Sequence, residues 1–254
     1  MAVTNKSAFG KGMFLLVSFS AIFMLIMSPM MKDHNGKPQT GLEYADEFFN
    51  KLSKNSADYF DQVNETVAKQ KGRQIAVTAS TKLDLKTHGD QAKAQEAANK
   101  QAQTAAKALQ AAGAQVEVKE NSFTVKADLQ AILEYSAKTS QAVFKVVGKA
   151  ADEQANVQAR ATLKGLWTAF DAMQKPLQKD GKVAEAKAID TVMKKGIEPA
   201  YNFYGISGEP VSKNIFLLTG LLVFYVIYTM WYGYGIFYTF EGLGMSMKKS
   251  KKKH

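Results

Sequence analysis

The sequence predicts an α+β membrane protein in which two transmembrane helices flank an extracytoplasmic, helix-rich domain with a small three-stranded sheet. Two apolar runs predict the membrane helices, because residues 13–31 and 214–240 contain no charged side chain. A run of about 18 such residues or more is long enough to cross a hydrocarbon core of ~30 Å. Between the runs, the spacing of apolar residues changes from helical to alternating and back, which predicts a mixed domain.

The first run could be an anchor or a cleaved secretion signal. Lys6 and Lys11 precede it, as basic residues do in both cases. The apolar stretch is long for a signal, and it ends in the letters SPMM instead of a small-residue cleavage site. We therefore interpret residues 13–31 as an uncleaved transmembrane helix that follows a short cytoplasmic N-terminus, residues 1–12.

The lysines next to the second run set the predicted orientation. Five lysines follow residues 214–240 and one, Lys213, stands directly before them. Lysine and arginine near membrane helices are held on the cytoplasmic side. We expect a protein of the cell membrane, specifically a bacterial inner membrane, with both termini in the cytoplasm and residues 32–213 outside it.

The polybasic tail, residues 241–254, also explains much of the net charge of +10. Seven lysines and one acidic residue lie outside residues 32–213, so more than half of the excess is a topology signal. No basic stripe interleaved with aromatic residues occurs in 32–213, and we predict no nucleic-acid partner. Contact with anionic lipid at the cytoplasmic face is predicted for Lys248, Lys249, Lys251, Lys252 and Lys253.

The residue types that carry most enzyme chemistry are scarce. The chain has no cysteine, and its three histidines, His34, His88 and His254, are scattered. Metal and haem sites need clustered His, Cys, Asp or Glu, and no Walker loop or G-x-G-x-x-G is present. We predict a protein that is not an enzyme, with no catalytic residue, no metal and no cofactor.

The outer domain begins with a predicted helix over residues 41–71. Thr40 and Glu43 have the spacing of a capping box, and apolar residues follow at helical intervals: Leu42, Phe49, Leu52, Phe60, Val63 and Val67. Residues 74–86 then alternate, which predicts a half-buried strand with Ile75, Val77, Ala79, Leu83 and Leu85 on one face.

A β-α-β-β-α unit is predicted over residues 73–148. A two-residue loop at Glu120 and Asn121 would pair Val118 with Phe123 and Val116 with Val125. The preceding alanine-rich helix presents a thin face made of Ala94, Ala98, Ala102, Ala105, Leu109 and Ala112. Asp128 caps the last helix, and the unit corresponds to most of a ferredoxin-like sandwich without its final strand.

A helical hairpin is predicted over residues 150–196. Its first helix ends near Pro176, Asp180 and Gly181 form the turn, and a second helix follows. Trp167 and Phe170 lie on the apolar face of the first helix, and we predict both as core residues.

The second membrane helix is unusually rich in tyrosine. Tyr225 and Tyr228 fall near mid-depth, where a phenol needs a hydrogen-bond partner. We predict a transmembrane interface, with close approach at Gly220, Gly233 or Gly235, made by Tyr225, Tyr228, Trp231 and Tyr232. Two alternatives stay open, namely tyrosines that face lipid and bond to their own helix, and a flat, quinone-like ligand.

The function that these features favour is that of an accessory or scaffolding subunit of a membrane complex. The two membrane helices contain no Asp, Glu, Lys, Arg or His, which argues against an ion or proton path. The partners would be other membrane subunits or further copies of the chain. The alternatives are an extracytoplasmic sensor and a ring-forming homo-oligomer, whose layout resembles the polysaccharide co-polymerases in topology alone.

Overall fold

The structure is a computed structural model that describes residues 3–33, 36–148 and 153–245. It is a mixed helix and sheet protein with two long apolar helices and a three-stranded sheet. The helices, in chain order, are α1 (Lys6–Ile26), α2 (Gly41–Ser56), α3 (Phe60–Ala68), α4 (Leu85–His88), α5 (Gln91–Ala111), α6 (Leu129–Lys145), α7 (Glu153–Lys179), α8 (Val183–Val192), α9 (Glu198–Asn202) and α10 (Ile215–Gly242).

Five strands accompany these helices in the described ranges. They are β1 (Met31–Lys32), β2 (Pro38–Gln39), β3 (Gln74–Ser80), β4 (Gln115–Lys119) and β5 (Ser122–Asp128). The chain divides into two compact units. One consists of Met1–Leu52 with Glu209–His254, and the other is Ser53–Gly208.

The two apolar helices differ in their limits from the predicted membrane helices. The first was predicted over 13–31, whereas α1 begins at Lys6, where the Asn5 side chain accepts a hydrogen bond from the Ala8 N–H at 3.1 Å. It ends before Pro29, because a residue that precedes proline disfavours the helical conformation. The second, predicted over 214–240, is α10 and extends to Gly242.

The prediction of a single helix over 41–71 is wrong, because the chain forms two helices, α2 and α3, with a break at residues 57–59. The capping box is confirmed, since Thr40 Oγ1 accepts from the Glu43 N–H at 3.1 Å and Glu43 accepts from the Thr40 N–H at 2.7 Å. The break follows a stretch of poor helix formers. There, the Asp58 side chain accepts from the Phe60 N–H, a local bond that competes with the helix.

The predicted hairpin of the sheet is confirmed, whereas the first strand of the sheet is shorter than predicted. Val118 pairs with Phe123 and Val116 with Val125, and β5 lies between β3 and β4. Because β5 is antiparallel to both neighbours, β3, α5 and β4 form a split β-α-β unit.

The strand predicted over 74–86 ends at Ser80. The Asp84 side chain then caps α4 by accepting the Thr87 N–H at 3.1 Å, which turns the chain away from the sheet. Leu83 and Leu85 are exposed as a result, contrary to the alternation that predicted them to be buried.

The thin alanine face predicted for α5 is buried in all of its members. It packs on α7, where a Cβ added to Gly165 would lie 2.8 Å from both the Ala108 Cβ and the Thr104 carbonyl oxygen. Only a glycine opposite a thin alanine surface permits this approach. The Asp128 side chain caps α6 by accepting from the Ala131 N–H at 3.0 Å, as predicted.

The helical hairpin predicted over 150–196 is longer than expected, and residues 150–152 of the prediction lie outside the described residues. Helix α7 continues past Pro176 to Lys179. After α8 the chain makes a π-helical turn, Met193–Ile197, and continues directly into α9. Pro199 has no N–H, and its ring would clash with the carbonyl of Lys195 in a regular helix, so the widened turn removes that conflict.

Candidate functional site

Helices α1 and α10 pack against each other in opposite directions in the unit that contains both. We call this antiparallel pair the hairpin, although the two helices are far apart in the chain. At one end, the Thr4 and Asn5 N–H groups donate to the Gly242 carbonyl oxygen at 2.9 and 3.1 Å. Further along, Phe19 of α1 meets Tyr228 of α10. The start of the first helix therefore lies beside the end of the second.

Small residues bring the two backbones close together. A Cβ added to Gly12 would lie 2.9 Å from the Gly235 carbonyl oxygen, and one added to Gly235 would lie 2.9 Å from Leu16 Cδ2. The predicted close approach is thus found at Gly235. Gly220 and Gly233, which were also predicted, have no atom within 4 Å of an added Cβ and do not contribute to this contact.

The Tyr228 phenol finds its hydrogen-bond partner on α1. Its hydroxyl donates to the Phe19 carbonyl oxygen at 3.1 Å. The two rings stack with their centroids 4.2 Å apart, and the ring of Tyr232 lies 5.0 Å from that of Phe19. The neighbouring helix that the sequence requires at Tyr228 is therefore available within the chain itself.

The other two residues of the predicted interface are placed differently. Tyr225 is 67% exposed, and no hydrogen bond from its hydroxyl is found within the described ranges. Trp231 is partly buried, and its Nε1 N–H has no acceptor among the described residues. An interface of these residues with another subunit stays a prediction, and Lys248, Lys249, Lys251, Lys252 and Lys253 lie outside the described residues.

Large apolar side chains cover the outer surface of the hairpin. Phe216 is 91% exposed, and Val17, Val223 and Ile227 are also exposed. Both helices are long and apolar enough to cross a membrane. They are compatible with insertion into a membrane.

A second candidate site is an aromatic groove on the unit Ser53–Gly208, with a cavity volume of about 320 Å³. Its floor consists of Leu163 of α7 and Ile197 of the π-helical turn, which are both buried. Its two walls are Trp167 and Tyr201, which are 38% and 37% exposed. Such a surface can hold an apolar group between two rings.

Polar side chains at the rim complete the groove. The Trp167 indole N–H donates to Glu198 Oε1 at 2.9 Å, which fixes the ring plane. Lys164 and Asn202 lie on the same rim. No acceptor for the Lys164 ammonium is found in the part of the chain that the structure describes. The groove therefore presents one engaged carboxylate and one cation without a partner.

Arg160 supports the Tyr201 wall. Its guanidinium carbon lies 4.6 Å from the ring centroid of Tyr201 and 4.9 Å from that of Tyr204, the range of cation–π contacts. Its Nε is buried without a hydrogen-bond acceptor within the described ranges. The two rings therefore flank this guanidinium.

The prediction that Trp167 belongs to the core is wrong, whereas Phe170 is buried as predicted. The buried stripe of α7 comprises Leu163, Leu166, Phe170, Met173 and Leu177. Trp167 lies at the margin of this stripe, because at about 100° per residue it projects roughly 40° beyond Leu163, on the side away from the other members. A signal was present, since Arg160, Lys164 and Trp167 recur at helical spacing and form a polar and aromatic edge.

Metal-binding and homology-based assignments find no support. Among the residues described, no three His, Cys, Asp or Glu side chains are grouped so that they could hold a metal ion. Comparisons with models of protein families, with curated proteins and with solved structures gave no match to this chain.

Proposed function

We propose that the chain is a non-catalytic accessory or scaffolding subunit of a membrane protein complex. Helices α1 and α10 anchor it, both termini lie in the cytoplasm, and residues 32–213 form the extracytoplasmic part. The lysine tail contacts anionic lipid on the cytoplasmic side.

The hairpin of α1 and α10 is the observation that carries this proposal. Its helices approach closely at small residues and are joined by the hydrogen bond from the Tyr228 hydroxyl. Their outer surfaces expose large side chains such as Phe216. A contiguous apolar surface of this kind is a liability in water and is characteristic of contact with lipid or with other membrane helices. The antiparallel pairing of Thr4 with Gly242 supports two termini on one side of the membrane.

A supporting role agrees better with the chemistry of the helices than transport does. No Asp, Glu, Lys, Arg or His occurs between Ile215 and Phe240, so α10 lacks the side chains that usually mark a path for ions or protons. Its exposed aromatic residues offer packing surface instead. Tyr225, which α1 leaves uncovered, is the residue of the predicted interface best placed to meet another subunit.

Thiol labelling tests the topology, because the chain has no cysteine of its own. Lys86→Cys, at an exposed position in the proposed outer part, should react in intact cells with a membrane-impermeant maleimide. Ser250→Cys, in the tail, should react only after the membrane is opened. The opposite pattern would reverse the orientation, and equal labelling of both in intact cells would contradict a two-pass anchor.

Purification from native membranes in mild detergent tests the scaffolding role. The proposal requires that larger membrane subunits co-migrate with the chain through gel filtration. A particle that contains copies of this chain alone would contradict the accessory role and favour the ring-forming alternative. A single copy without any partner would contradict both.

A further inference from the structure

We propose that the aromatic groove between α7 and α9 is a docking site for a segment of a partner protein that presents an apolar side chain next to a carboxylate. The assignment uses only residues of the unit Ser53–Gly208. It can therefore fail while the membrane topology holds, and the reverse is also possible.

The shape and lining of the groove select the apolar part of this ligand. A cavity of about 320 Å³ is at the small end of ligand sites and holds one branched or aromatic side chain with its adjoining backbone. The floor, Leu163 and Ile197, offers only aliphatic carbon. Trp167 and Tyr201 present large rings on either side, and these residue types dominate the binding energy of protein interfaces.

The charges at the rim select the anionic part. Glu198 already accepts the Trp167 indole N–H, so part of its acceptor capacity is used. Lys164 lines the same groove, and its ammonium has no acceptor within the described residues. A carboxylate beside the apolar anchor would complement Lys164, provided that it lies on the Lys164 side of the groove and apart from the Glu198 carboxylate, whose charge a neutral indole does not offset.

The walls are held in place before any ligand arrives. The hydrogen bond to Glu198 holds the Trp167 indole, and the Arg160 guanidinium lies against the Tyr201 ring with its carbon 4.6 Å from the ring centroid. The π-helical turn sets the position of Ile197, and such turns occur frequently at functional sites. A preformed site loses less conformational entropy on binding, which favours a short segment as ligand.

Tryptophan fluorescence of the full chain in detergent tests the assignment directly. The chain has two tryptophans, and Trp231→Phe leaves Trp167 as the only indole. Three probes isolate the two parts of the ligand: Ac-Leu-Asp-NH2, the neutral isostere Ac-Leu-Asn-NH2, and Ac-Ala-Asp-NH2, which lacks the anchor. The affinity of the first should exceed that of the second about twofold to fivefold and that of the third about tenfold or more.

Substitutions assign these differences to the groove. Lys164→Gln should abolish the preference for Asp over Asn, whereas Lys175→Gln, at an exposed lysine of the same helix outside the groove, should leave it unchanged. Tyr201→Ala should weaken all three probes, because it removes one wall. Since Lys164, Lys175 and Tyr201 are exposed, the fold should survive each change.

Three results would overturn the proposal. The first is the absence of any saturable change in Trp167 emission up to the solubility limit of the probes. The second is an equal affinity for the Asp and Asn peptides, or a preference that survives Lys164→Gln. The third is tighter binding of the free acid 4-methylpentanoate than of the Leu-Asp peptide, which would indicate a small organic acid as the ligand.

Discussion

Lys54 of α2 is a charged residue that is buried although its neighbours in the sequence are mostly polar. The residue is only 4% exposed. The ammonium donates to the carbonyl oxygens of Val146 and Ile206 and lies 5.0 Å from the ring centroid of Phe144. Val146 follows the last turn of α6, where the helix dipole favours a cation.

Burial without a carboxylate partner among the described residues lowers the pKa of the Lys54 ammonium below its usual 10.5. Between the folded and the unfolded pKa, the unfolded chain binds a proton that the folded chain has released, so the free energy of unfolding rises with pH in that window. Lys54→Met removes this contribution. The stability of the wild type relative to Lys54→Met should therefore increase as the pH rises toward 10.5.

Urea unfolding followed by Trp167 fluorescence, with Trp231→Phe in both proteins, measures this difference. Lys100→Met, at an exposed lysine of α5, is the matched control and should show no comparable trend. A difference between wild type and Lys54→Met that stays flat from neutral to alkaline pH would contradict the assigned cost of burial.

The sequence was informative about some single residues and silent about others, for a physical reason. It predicted a hydrogen-bond partner for the Tyr228 phenol, and the Phe19 carbonyl oxygen supplies one. It could not separate Tyr225 from Tyr228, since their spacing puts both near one face and only the position of α1 decides which is covered. Trp167 was misassigned for the same reason, as the margin of an apolar stripe is set by the neighbouring helices.

At the scale of elements, local chemistry predicted more than periodicity did. The hairpin of β4 and β5 and the caps at Thr40 and Asp128 depend on a few adjacent residues, and all three were predicted. The alternating pattern of 74–86 failed after Ser80, because Asp84 offered a cap that starts α4. The continuation of α8 into α9 was missed because Pro199 normally ends a helix, and here a π-helical turn accommodates it.

The contact between α1 and α10 offers a matched pair of glycines on one helix. Gly12 is buried against Gly235, whereas a Cβ added to Gly10 would have no atom within 4 Å. Gly12→Leu should therefore separate the helices and destabilise the hairpin by about 1–3 kcal/mol. Gly10→Leu should not destabilise it, and the better helix propensity of leucine should add up to about 1 kcal/mol.

Titration of the purified protein with dodecyl sulfate measures this effect. In a Trp167→Phe background, Trp231 of α10 is the only indole and reports on the separation of the two helices. The midpoint for Gly12→Leu should fall to a lower detergent fraction, while that for Gly10→Leu should stay the same or rise. Equal midpoints for the two variants would show that the small-residue contact does not hold the hairpin together.

For the whole molecule, neighbouring tyrosines of α10 should have separate roles, although they lie near one face of the helix. Tyr228 and Tyr232 pack on Phe19 of the same chain, so they stabilise the hairpin. Tyr225 has no such contact and is exposed, so it is free to meet another subunit of the proposed complex. Assembly and hairpin stability should therefore respond to different substitutions.

Replacing Tyr228 and Tyr232 together by alanine should weaken the hairpin, because it removes two ring contacts that are worth about 0.5–1.5 kcal/mol each. Tyr225→Ala should leave the dodecyl sulfate midpoint unchanged and reduce the amount of partner that co-purifies in mild detergent. Val226→Ala, at another exposed position of α10, controls for the loss of side-chain volume. The opposite result is that Tyr225→Ala retains the whole complex, while the double variant keeps its hairpin but loses the complex. The partner would then bind the surface of α10 that contacts α1 here. In that case the hairpin would have to open during assembly.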